Sequence, residues 1–115
     1  MKRIWYMSIK KAAKGYKTRF MPVQNGREMQ EAAIDTEQAD LDEVERLVRR
    51  VAPKAYVSET TISGSGLLGL ATLPEEPLEA LVQRIRHDLE SPKGSSGVLI
   101  PLLTRSELEE MAARN

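Results

Sequence analysis

The chain has 115 residues, 41% of them hydrophobic and 30% charged, the proportions of one globular domain with a single core. It contains no cysteine, which excludes disulfides, thiolate metal sites and thiol redox chemistry. Its seventeen basic and seventeen acidic residues cancel overall but not locally: residues 1–27 hold eight basic side chains and no acid, and the remainder sets nine basic against seventeen acidic.

The opening, MKRIWYMSIKK, is a short apolar run closed by two lysines, unlike the longer apolar core of a secretory signal. No stretch approaches the ~20 apolar residues that span a bilayer, so a cytoplasmic location without membrane contact is expected. Ile4–Lys10 is β-rich and apolar on both faces at its start, as in a strand central to a sheet. A basic loop follows, ending near Gly15. Arg19–Gln24 suits a second strand, with Pro22 confining it to an edge or a bulge. Asn25-Gly26 is a turn signal. Residues 27–35 fit either a loop or a frayed helix.

From Asp40 the period changes. Leu41, Val44, Leu47, Val48 and Val51 fall on one helical face, and Asp40 with Glu43 has capping-box spacing. Acids crowd the first turn, arginines the later ones, and Pro53 ends the helix. Ala55–Ser63 and Leu67–Leu73 read as strands joined by Gly64-Ser65-Gly66. Pro77 opens another helix, lined by Leu78, Leu81, Val82, Ile85 and Leu89. Lys93–Gly97 reads as a flexible loop and Val98–Leu103 as a buried strand. A short terminal helix follows, capped by Thr104 or Ser106.

Without the second strand and the terminal helix, this order is βαββαβ. It resembles the ferredoxin-like fold, an α+β sandwich shared by many unrelated functions. If Arg19–Gln24 pairs with Ile4–Lys10, the expectation becomes a mixed five-stranded variant with helices on one face and an added C-terminal helix.

Gly64, Gly66 and Gly69 spell a formal G-x-G-x-x-G. A dinucleotide fingerprint needs a substantial helix opening directly after it, and only seven residues precede Pro74. A tight turn between strands is the better reading. Right-handed crossovers in a βαββαβ chain nevertheless bring that turn, the exit of the first strand and the entrance to the last strand to one pole. There Lys10, Lys11, Lys14, Ser63, Gly64, Ser65, Gly66, Lys93, Gly94, Ser95 and Ser96 would converge. Glycine backbones can form anion-binding nests, lysines add point charges, and serines add donors. The plain alternative is that these are ordinary turn residues.

Four of the five aromatic residues lie in the basic segment, and Trp5 and Tyr16 are candidates for stacking on bases. The RNA-recognition motif uses the same element order, but LLGLATL lacks the aromatic that its third strand requires. His87, the single histidine, sits among charged residues away from the apolar stripe, which is the pattern of a solvent-exposed side chain. No nucleophile has an identifiable base, and no spacing suggests a metal or cofactor. The expected function is a small binding or regulatory protein, not an enzyme, for a phosphate-bearing ligand such as a nucleotide or nucleic acid. The alternatives are a protein-interaction or homo-oligomerising module and a small phosphate-ester hydrolase.

Overall fold

The computed structural model describes residues 3–24, 27–51 and 77–113. The expected strands at 55–63 and 67–73, the Ser63–Gly66 corner and the Asn25-Gly26 turn lie outside the described residues. Within them the order is β1 (Arg3–Lys11), β2 (Tyr16–Gln24), β3 (Arg27–Glu28), a 3-10 turn (Gln30–Ala32), β4 (Ile34–Gln38), α1 (Leu41–Val51), α2 (Leu78–Glu90), β5 (Ser95–Leu103) and α3 (Arg105–Ala113). This is an α+β arrangement: a curled antiparallel sheet with the three described helices against one face.

β1 lies at the centre, antiparallel to β2 on one side and β5 on the other. Its alternate residues explain why. Trp5, Met7 and Ile9 enter the main core, where they meet Val44, Leu47, Val48 and Val51 of α1, Leu81, Val82, Ile85 and Leu89 of α2, and Leu108 of α3. Tyr6 faces the other way and forms a smaller cluster with Met21 and Leu99. Each such side chain contributes roughly 1.5–3 kcal/mol on burial, so both faces of β1 hold the sheet together.

The strand order corrects the ferredoxin-like expectation. β1 does have the last strand as one neighbour, but its other neighbour is the hairpin partner β2, and every described pairing is antiparallel, so the sheet there is not mixed. Closing a four-residue turn costs little chain entropy, and the hairpin takes that place locally. β2 begins at Tyr16, three residues earlier than its apolar pattern suggests, and it is an interior strand despite Pro22. Its outer side is shared. β4 pairs with Tyr16–Phe20, β3 pairs with Val23–Gln24, and Pro22 falls at the junction, where no ladder N–H is required. The Pro22 carbonyl accepts from the Met29 N–H at 2.8 Å.

Residues 27–35 are neither plain loop nor helix: they hold β3, the 3-10 turn and the start of β4. Nor is the whole Lys93–Gly97 segment a loop, since Ser95, Ser96 and Gly97 pair with Lys10, Ile9 and Ser8. Helix caps follow the sequence closely. The Glu43 N–H donates to Asp40 Oδ1 at 2.9 Å, and Thr104 with Glu107 forms a reciprocal box of 2.9 and 3.1 Å.

The hairpin depends on Gly15. Its φ is +75°, and a Cβ there would run into the Gln38 carbonyl oxygen and the Ala39 backbone. Gly15→Ala therefore meets both left-handed strain and a backbone clash, and should destabilise the fold by about 2 kcal/mol or more. Urea unfolding of the variant measures this directly.

Candidate anion-binding face

The β1–β2 register sets what stands on the side of the sheet away from the three described helices. Because Trp5, Met7 and Ile9 point to the helices, the even-numbered residues of β1 point away from them. Three cross-strand rows result. The first is Ser95, Lys10, Lys17 and Glu37; the second is Gly97, Ser8, Arg19 and Asp35; the third is Leu99, Tyr6 and Met21. Across the first two rows runs an open trough of about 1050 Å³, lined by Ser8, Lys10, Lys17, Arg19, Asp35 and Glu37 together with the hairpin turn. Polarity thus changes along the strands, from lysines at the turn end to a covered apolar cluster at the other.

The cations of this face fall into two groups. Arg19 is bound: its guanidinium meets the Asp35 carboxylate through two contacts, 2.7 and 3.1 Å, and reaches Gln30 Oε1 at 3.0 Å. The hydrogen bond from Arg19 and its charge hold the Asp35 carboxyl below its ordinary range, and Lys17 adds to this at longer distance. By contrast, among the described residues Lys10, Lys11, Lys14 and Lys17 form no side-chain hydrogen bond or ion pair. Lys10 and Lys17 stand directly opposite each other, both exposed. Like charges so placed repel.

The expected site residues are distributed as follows. Lys10 and Lys11 end β1, Lys14 sits in the turn, and Ser95 pairs with Lys10. The Lys11 N–H donates to the Gly94 carbonyl at 2.8 Å, which brings the 93–95 segment beside the lysines. Ser96 does not belong with them. It is on the helix side, 1% exposed, and its Oγ donates to Asp88 Oδ2 at 2.9 Å. Part of the backbone there is already engaged. The N–H groups of Lys11, Ala12, Lys93 and Gly94 all donate within the chain, to Gly94, Gly15, Ser91 Oγ and Ser91. Ser63, Gly64, Ser65 and Gly66 lie outside the described residues.

The proposed stacking residues are differently placed. Trp5 is 1% exposed in the main core, and its indole N–H donates to the Leu103 carbonyl at 3.0 Å, so it presents no ring face to a base. Tyr16 is half-buried on the helix side. It borders a second hollow, of about 540 Å³, with Lys11, Asp40, Asp42 and Arg86. There Arg86 is paired with Glu45 and Asp42, at 3.0 and 3.5 Å, leaving acids and bases mixed and no net attraction for an anion.

Lys17, Arg19 and Ser8 were not among the sequence candidates. The signal was present: once Ala12–Gly15 is taken as the hairpin turn, counting back along both strands puts Lys10 against Lys17 and Ser8 against Arg19. Among the described residues no group of three or more histidines and carboxylates is placed to hold a metal ion, and no helix is long and apolar enough to cross a membrane. No family model, no curated protein and no solved structure matches this chain.

Replacing Lys10 by Glu turns the repelling pair into an attracting one. Lys10→Glu should raise stability by about 0.2–1 kcal/mol in thermal or urea unfolding at low salt, with the gain shrinking as salt is added. The Arg19–Asp35 pair has its own signature. A carboxylate whose folded pKa is depressed contributes stability above its unfolded pKa and loses it as pH falls through the folded value. The Asp35 carboxyl should therefore titrate below the ~3.9 of a free aspartate, and Arg19→Ala should move its NMR midpoint upward toward that value.

Proposed function

We propose that the protein binds a phosphate-bearing anion at the lysine end of the sheet face turned away from the described helices. The observation that carries this is the contrast between bound and unbound cations. Arg19 is engaged by Asp35, while among the described residues Lys10, Lys11, Lys14 and Lys17 form no close ion pair, although Glu37 stands opposite Lys17 and Asp35 feels the charge of Lys17. A basic segment serving only to answer the chain's own acids would have its lysines in ion pairs. Lysine ammonium groups are compact point charges on flexible stems, suited to phosphate oxygens in more than one pose. The reading is of a binding or regulatory role without catalysis.

Retention on immobilised heparin and binding of inorganic pyrophosphate, both at low salt, test this. The protein should bind both and release them as salt rises. Lys10→Ala with Lys17→Ala should weaken binding by roughly tenfold or more, since two charge-assisted contacts are lost. The charge-matched pair Arg27→Ala with Arg46→Ala, away from the trough, should leave it nearly unchanged. Equal loss from both pairs would mean diffuse attraction and no defined site.

A further inference from the structure

Resting on the anion-binding reading, we infer that the ligand is a nucleic-acid single strand, held by its phosphodiester backbone with its bases unread. Three observations lead there.

The first is where the donors are. A site for one terminal phosphate gathers convergent backbone N–H groups around it. Here the N–H groups of Lys11, Ala12, Lys93 and Gly94 are used within the chain. The charge beside them is on side chains, and it is spread out. Lys10 and Lys17 share one row, Lys11 closes the ladder and Lys14 sits in the turn, while Arg19, one row further along, is already paired with Asp35. Rows two residues apart on a strand are about 6.6 Å apart. A line of separated charges matches a ligand with a line of separated charges.

The second is what the face lacks. Proteins that grip single strands through their bases offer exposed aromatic rings. On this face Tyr6 is only 5% exposed. Its phenol lies against Gly97, where a Cβ would collide with the hydroxyl and the ring edge. Trp5 and Phe20 point into the main core. No described ring on this face is open to stack on a base.

The third is shape. The trough floor includes Ser8, the smallest of the outward side chains of β1, beside Lys10, Lys11 and Lys17. Its volume of about 1050 Å³ is of small-ligand size, room for a short stretch of one strand.

Fluorescence anisotropy with labelled oligothymidylates of increasing length tests the inference on the full chain. An abasic oligomer, the equivalent duplex, adenosine monophosphate and inorganic pyrophosphate serve as competitors. Oligothymidylate should outcompete the two small phosphates, with affinity rising with length. The abasic oligomer should bind within about fivefold, because even one stacked base would contribute that much. The logarithmic salt slope should be about −2 to −3, from three or four lysines at ~0.7 each, and Lys10→Ala with Lys17→Ala should reduce it by about 1.4. The fluorescence of Trp5 should not change on binding.

Small phosphates binding as tightly as the oligomer would overturn the inference and leave the anion-binding reading standing. So would a duplex binding as well as a single strand, a large loss without bases, or quenching of Trp5. Failure of every anionic probe, pyrophosphate and heparin included, would overturn both.

Discussion

The antiparallel register of β1 against β2, with Trp5 opposite Pro22 and Lys10 opposite Lys17, sorts the whole basic segment into an inside and an outside. Because side chains alternate strictly along a strand, sliding β1 by one residue against β2 would send Trp5, Met7 and Ile9 into solvent and bring Ser8 and Lys10 to the helices. Burying an ammonium group without a partner is far more costly than any turn rearrangement could recover. The same register that fills the main core therefore also displays the lysines. Gly15 and its left-handed turn fix it at one end, and the Pro22 junction marks where β4 hands over to β3 at the other.

Much of the framework was legible in the residues. The helices over 41–51 and 78–90 show their apolar stripes plainly, and the caps at Asp40 and Thr104 obey local rules that no tertiary context overrides. β1 was legible too, since a run that is apolar on both faces has few other homes. β4 was hidden for a definite reason. Its helix-facing positions are Ile34, Thr36 and Gln38, two of them polar, so the usual alternation of apolar and polar residues is absent. These polar groups are accommodated because Thr18 Oγ1 donates to Gln38 Oε1 at 2.6 Å and Gln38 Nε2 donates to Thr36 Oγ1 at 2.9 Å, a pairing invisible without the β2–β4 register. The candidate site was half legible. Nearness of the first strand's exit to the 93–95 segment follows from strand order, but the direction of Ser96 and the use of the turn N–H groups depend on coordinates.

Arginine and lysine have separate tasks in this molecule. Arg19, Arg49, Arg84, Arg86 and Arg105 each pair with a carboxylate, and several join different elements: Arg49 reaches Glu79 from α1 to α2, and Arg86 reaches Glu45 in return. Arg84 and Asp88 also hold Ser96, tying α2 to the start of β5. A planar fork suits such fixed bridges, even where exposure keeps each one weak. The lysines of the hairpin take no part in this lattice.

The indole of Trp5 grips a carbonyl 98 positions further along the chain, and β1 finds its second neighbour only in β5. During synthesis at ~5–20 residues per second, about 5–20 seconds separate the emergence of these two strands. The hairpin zips within microseconds, so for nearly all of that interval one flank of β1 waits, with its hydrogen-bonding groups unclaimed. Long-range closure of this kind is the slow step of β-rich topologies, and here it makes the final strand the event that commits the chain to its shape.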